Sequence, residues 1–216
     1  MHINFHNFLL EKYDYFIFDF DGIIKESVES KGKAYCELFK DYKFASKMIE
    51  NHHLQNGGIS RYEKIPLYLK FCNIESNSIL VESYLEKFSI IVTKLVVNSK
   101  WVPGILSFLD KIEERKNIFI VSATPEKELI KIVRSIGLEI PLVNIYGSPK
   151  SKVENIRTFL KKENFKKYIF FGDAMSDSFA AEQFEIDFAY RNYVLNFNQV
   201  PEYYTFIFKD FKNGFN

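Results

Sequence analysis

The chain of 216 residues is poor in several features that would each have pointed to a class of function. It has two cysteines, Cys36 and Cys72, in no metal-ligand spacing and too few for a disulfide framework, so a reduced cytoplasmic setting is expected. It has no excess of one charge: 29 Lys+Arg stand against 28 Asp+Glu, for a net charge of +1. That balance argues against nucleic acid as a partner, because binding a phosphate backbone needs a concentrated positive field. No apolar run approaches the ~18 residues of a membrane-spanning helix, so no membrane partner is expected. The opening stretch MHINFHNFLLEKYDYF lacks a basic region, a long apolar run and a small-residue cleavage site, so no signal peptide is expected. Repeats, low-complexity tracts and Gly/Ser linkers are missing too.

What is present is core material. Hydrophobic residues make up 47% of the chain, which excludes disorder as a description of the whole. Aromatics reach 17%, with 23 Phe. Most of these lie in apolar, strand-like runs, so core packing explains them better than base stacking.

Short apolar runs alternate with helical periodicity, the pattern of a parallel sheet with crossover helices. The runs are 15–19 (YFIFD), 117–122 (NIFIVS), 142–146 (LVNIY) and 168–172 (YIFFG), with 186–190 (IDFAY) as another and 204–208 (YTFIF) as an edge strand. Runs apolar on both faces fit strands covered on both sides. Leu129, Ile132, Val133 and Ile136 recur at helical spacing between Pro125 and Gly137. Ser151-Lys152-Val153-Glu154 matches a capping box, which puts Lys152 at a first helical position. From 29 to 97 no strand is legible, and 34–44, 61–71 and 79–97 read as helices. The expected fold is therefore an α/β, Rossmann-like parallel sheet core, 1–28 with 98–216, interrupted by an inserted all-α cap, 29–97.

Open α/β sheets place their sites at the carboxyl ends of the strands. There the chain sets Asp19-Phe20-Asp21-Gly22, then Ser122-Ala123-Thr124, then Lys150-Ser151-Lys152, then Gly172-Asp173 with Asp177. Each signal is weak alone; their order after successive strands gives them weight. Four carboxylates in one cleft repel and resist desolvation, which a lysine and a divalent cation would relieve. All-oxygen ligands favour Mg²⁺ over zinc.

With these segments the chain resembles the haloacid dehalogenase superfamily of phosphohydrolases, in the phosphoglycolate-phosphatase and β-phosphoglucomutase-like branch with a helical cap. The resemblance covers essentially the whole chain, and Pro103-Gly104 before Leu106, Phe108 and Leu109 fits the same branch. Glu26-Ser27 stands where the family often has Asp-Ser, a position without a chemical role. The resemblance implies Asp19 as nucleophile, forming an aspartyl-phosphate, and Asp21 as general acid and then base. It implies Mg²⁺ held by Asp19, the Asp21 carbonyl and Asp173. Asp177 would either bind the metal through water or orient Lys152. Ser122, the Ala123 backbone and Gly22 would hold phosphoryl oxygens, and Lys152 rather than Lys150 would add its charge at a helix start.

The cap would set the substrate. Its segment 52–64 joins His52 and His53 through Gly57-Gly58 to Ser60, Arg61 and Lys64, and Arg61 and Lys64 are candidates for substrate contact or solvated residues. The histidines read as surface or capping residues rather than metal ligands. The implied activity is a Mg²⁺-dependent phosphatase acting on a small phosphate ester such as a sugar phosphate or phosphoglycolate-like acid, in a monomer or weak homodimer. A sugar phosphomutase and a non-catalytic binding protein on the same scaffold are the alternatives.

Overall fold

The computed structural model describes residues 5–56, 59–114, 117–160, 167–193 and 200–214. The chain divides into two compact units, Met1–Glu26 with Lys100–Asn216, and Ser27–Ser99.

The described residues of the first unit form six strands: β1 (Tyr15–Phe18), β2 (Ile118–Pro125), β3 (Ile145–Ser148), β4 (Tyr168–Gly172), β5 (Asp187–Arg191) and β6 (Phe206–Phe208). They form one sheet in the order β3-β2-β1-β4-β5-β6, parallel throughout. The strand that ends at the first acidic pair therefore lies inside the sheet, paired on both sides. Its alternating residues explain the continuous apolar run. Ile17 joins Val121, Phe170, Ile156, Ala180 and Ala181 on one face. Phe16 and Phe18 pack against Phe108 on the other, where Phe18 stacks on Phe171 at 5.0 Å between ring centroids. Phe108 also stacks on Phe211, at 5.3 Å. The abundance of Phe thus goes into an aromatic core.

Among the described residues of this unit five helices accompany the sheet: α1 (Phe5–Lys12), α6 (Ile105–Leu109), α7 (Glu126–Ser135), α8 (Lys152–Phe159) and α9 (Met175–Glu182). The capping box that opens α8 is present in full: Ser151 Oγ accepts from the Glu154 N–H, and Glu154 Oε2 accepts from the Ser151 N–H. Helix α1 has no counterpart in the sequence reading. The strand expected at 142–146 begins later, because Pro141 starts a 3-10 turn over Leu142–Asn144. The Asn144 amide side chain then donates to the Ile118 carbonyl at 2.9 Å, tying that turn to the start of β2.

Among its described residues the second unit holds four helices, α2 (Val28–Leu38), α3 (Lys43–Gln55), α4 (Arg61–Phe71) and α5 (Ser78–Asn98). Helix α2 packs on α5 and α3. Its interior is aromatic, with Tyr35 stacked on Phe88 at 4.3 Å and edge-on to Tyr68 at 5.0 Å. The helix expected over 34–44 is two helices separated by a turn, in which the Tyr42 N–H donates to the Phe39 carbonyl. Gly57 and Gly58 lie outside the described residues. No helix among the described residues is long and apolar enough to cross a membrane.

Candidate active site

The site is assembled at the carboxyl edge of the sheet. Strand β1 delivers Asp19, whose Oδ1 accepts from the Phe20 N–H at 2.7 Å while its own N–H bonds Phe171. Two residues on, Asp21 is also buried, and its Oδ2 accepts from the Thr124 hydroxyl at 3.3 Å. Strand β2 pairs with β3 in register as far as Val121, then shifts before Pro125. Ser122 is buried at this irregularity, its Oγ accepting from the Thr124 N–H at 3.1 Å, while Ala123 is exposed.

Lys152, at the first position of α8, places its amine 3.0 Å from Asp19 Oδ2 and donates to Asp177 Oδ1 as well. Lys150 is exposed. Asp177 is fully buried in the first turn of α9, and its second oxygen accepts from the Ala174 N–H at 3.1 Å. One carboxylate therefore both caps a helix and receives the lysine. Asp19, Asp173 and Asp177 each offer an oxygen, and these oxygens lie within 4.8 Å of one another.

Crowding has an electrostatic consequence. Burial, with Asp177 and Asp21 nearby, lifts Asp19 above the usual carboxylate range in spite of Lys152. Asp173 is lifted by burial and by the charges of Asp19 and Asp177. Burial opposes the charge of Lys152, yet Asp177 and Asp19 hold its amine above the ordinary lysine value. Carboxylates that resist ionisation together, with oxygens this close, form a donor set suited to a hard divalent cation. Mg²⁺ fits these residues.

Gly22 takes a left-handed conformation, φ +82°, and a Cβ there would overlap the Asp173 carboxylate. Its carbonyl is engaged by a residue with no assigned role in the sequence reading: Arg191 Nη1 donates to it at 2.5 Å. Tyr193 was likewise missed. Its hydroxyl donates to Asp173 Oδ2 at 2.8 Å, and burial together with the Asp173 charge pushes its pKa up. Arg191 ends β5 and Tyr193 lies two residues beyond it, so extending the strand-end rule to the fifth strand points to both.

The second unit gives its candidates other surroundings. Arg61 is buried, donating to Ser89 Oγ at 3.0 Å with its guanidinium 4.8 Å from the Phe88 ring centre. It also lines an open cavity of about 370 Å³ with Glu82, Glu86 and Ser89. Lys64 is 1% exposed, its amine 3.1 Å from His53 Nδ1. His53 is thus an interior residue, not a surface one, because the α3 face that carries Ala45 and Ile49 turns it into the bundle.

A family profile described as haloacid dehalogenase-like hydrolase matches residues 16–190. The chain belongs to that family. Among solved structures, a predicted phosphoglycolate phosphatase from Haemophilus somnus is 18% identical, covers 92% of this chain and 95% of its own, and superposes with a TM-score of 0.68. YfnB from Bacillus subtilis, bound to magnesium, is 16% identical over 93% of this chain and 96% of its own, with a TM-score of 0.63. CbbY from Rhodobacter sphaeroides, in complex with phosphate, is 13% identical over 92% and 95%, with a TM-score of 0.70. These likenesses show the shared fold. No curated protein matches the chain in sequence.

Proposed function

We propose that this haloacid dehalogenase-like hydrolase is a Mg²⁺-dependent phosphatase of small phosphorylated metabolites, sugar phosphates or phosphoglycolate-like acids, in a reducing cytoplasm. The observation that carries the reading is the bridge from Lys152 to both Asp19 and Asp177 beside Asp173. A lysine so held keeps its charge next to the nucleophile, and three clustered acids supply oxygens for a cation.

In this reading an Asp19 carboxylate oxygen attacks phosphorus and the ester oxygen departs with its bonding electrons, leaving an aspartyl-phosphate. Asp21, hydrogen-bonded to Thr124, gives its proton to that leaving oxygen and then takes one from the water that attacks phosphorus. Water's oxygen leaves with the phosphoryl group as inorganic phosphate, and Asp19 is restored. Lys152 and the Ser122 region face the phosphoryl oxygens. Asp19, the Asp21 carbonyl and Asp173 would hold Mg²⁺, which supplies charge neutralisation for the transferring group when bound. Asp177 acts through Lys152. CbbY, crystallised with phosphate, and YfnB, crystallised with magnesium, support the assignment by shared fold.

The test is phosphate release from a panel of small phosphomonoesters, with Mg²⁺ and with chelator, using Asp19→Asn as the blank. Mg²⁺-dependent release lost in the variant supports a phosphatase. Covalent phosphate on Asp19 without release, in a reaction that needs a bisphosphate activator, replaces it with a sugar phosphomutase. Neither release nor covalent phosphate from any ester leaves a binding protein.

A further inference from the structure

We propose that Arg191 and Tyr193 form a clasp that positions the cation-binding half of the site, with Tyr193 orienting Asp173 and Arg191 fixing the turn after Asp21. The proposal rests on the reading of Asp19, Asp21 and Asp173 as the Mg²⁺-binding set.

Arg191 is the last residue of β5 and only 4% exposed, so its donors must find partners within the protein. Nε donates to the Lys209 carbonyl at 2.8 Å, and Nη1 donates to the Gly22 carbonyl. Nη1 and Nη2 together grip both oxygens of Glu26, at 3.1 and 2.7 Å. A fork bound on three sides is a rigid plate. The ring of Tyr193 lies against that plate, 4.3 Å from the guanidinium carbon to the ring centre, and its hydroxyl reaches Asp173 Oδ2. The Asp173 oxygen that accepts from Tyr193 thereby sits against the bare backbone of Gly22, where a Cβ would overlap it.

The arrangement divides labour within the acidic cluster. Lys152 restrains Asp19 and Asp177; the clasp restrains Asp173 and the peptide that follows Asp21. A carboxylate oxygen has two lone pairs, so the tyrosine bond leaves Asp173 able to ligate while fixing the direction in which it does so. Hydrogen bonds to ligating carboxylates commonly tune metal affinity in this way. Tyr193 is a positioning residue here: its proton is committed to Asp173, and it acts on the cation through that carboxylate.

The decisive experiment is calorimetric titration of the full chain with Mg²⁺ alone. Tyr193→Phe removes one oxygen and keeps the ring on Arg191. It should weaken Mg²⁺ binding about tenfold, a typical loss for a partner of a ligating carboxylate. In turnover assays the same variant should need correspondingly more Mg²⁺, recover its kcat at saturating Mg²⁺ and keep its KM for the ester. Because Tyr193 works through Asp173, adding Tyr193→Phe to Asp173→Asn should cause no further loss of Mg²⁺ binding. Arg191→Lys, which keeps the charge but loses the fork, is a second variant for the same titration and should also weaken binding. Wild-type Mg²⁺ affinity in Tyr193→Phe, or in Arg191→Lys should the first variant fail to fold, overturns the clasp alone. Wild-type protein that takes up no Mg²⁺ overturns it together with the reading on which it rests.

Discussion

The amine of Lys152 lies 3.0 Å from Oδ2 of Asp19, with each side chain 9% exposed. Any reagent attacking phosphorus from Asp19 would do so beside a fixed positive charge. On the proposed mechanism Asp19→Asn keeps the volume and removes the attacking oxygen, so phosphate release should fall on the order of a thousandfold or more while circular dichroism stays unchanged. Turnover that survives the substitution would rule out chemistry on Asp19.

Breaking the lysine bridge should show first in stability. Lys152→Met leaves Asp19 and Asp177 buried without their cation, and one-sided removal from a buried ion pair costs about 3–5 kcal/mol. Added Mg²⁺ should restore part of that loss by binding the acids. Thermal melts with and without Mg²⁺ check both statements; a variant as stable as the parent in chelator contradicts them.

Two glycines are confined by the acids. A Cβ at Gly172 would overlap Asp177, and one at Gly22 would overlap Asp173 in a backbone conformation with φ +82°. Both alanine substitutions should destabilise the protein, by roughly 1–3 kcal/mol as overpacking generally does. They should differ in function. Gly22→Ala displaces Asp173 and so should raise the Mg²⁺ requirement, whereas Gly172→Ala displaces the partner of Lys152. Urea denaturation and Mg²⁺ titration of the two variants separate these effects.

In the helical unit, burial and the nearby Lys64, Lys31 and His52 charges hold His53 neutral, down to about 3 from an ordinary 6.5. The unfolded chain therefore binds a proton that the folded one refuses between those values, so stability falls as pH drops below about 6.5. His53→Phe removes this contribution. Its stability relative to the parent should improve between pH 7.5 and pH 5, measured by urea denaturation; a constant difference would show that His53 charges normally in the folded state. Lys64, lowered to about 8 by burial and Lys31, follows the same sign at higher pH, with stability rising from about 8 toward its ordinary 10.5.

Strands β1 and β4 were legible almost to the residue because they are covered on both faces and so read as unbroken apolar runs, whereas β3, IYGS, lies mostly beyond the run that pointed to it. Four of the site's segments were legible because they follow such runs. Helix α3 was only partly read, since its buried face is carried by Ala45, Ile49 and His53, too sparse and too polar to register as a stripe. Helix α1 was hidden for a similar reason: it buries Leu9 and His6, and the imidazole finds its partner at the Phe211 carbonyl, 205 residues away. Arg61 and Lys64 look solvent-seeking in one dimension, and only the packing of α4 shows them turned inward. Tyr193 escaped because its one signal is its place just past β5, and that place gains a role only from Asp173 beside it.

Strand β1 is bonded on one side to β2 and on the other to β4, and that placement has a consequence for hydrogen exchange. Amides open to deuterium in proportion to how readily their surroundings come apart, and an interior strand is the last part of a sheet to do so. The Asp19 amide, bonded to the Phe171 carbonyl at 2.9 Å, should exchange among the slowest in the chain, and the amides of β3 and β6 at the sheet's edges much sooner. The residue assigned to attack thus rides on the part of the protein that deuterium reaches last.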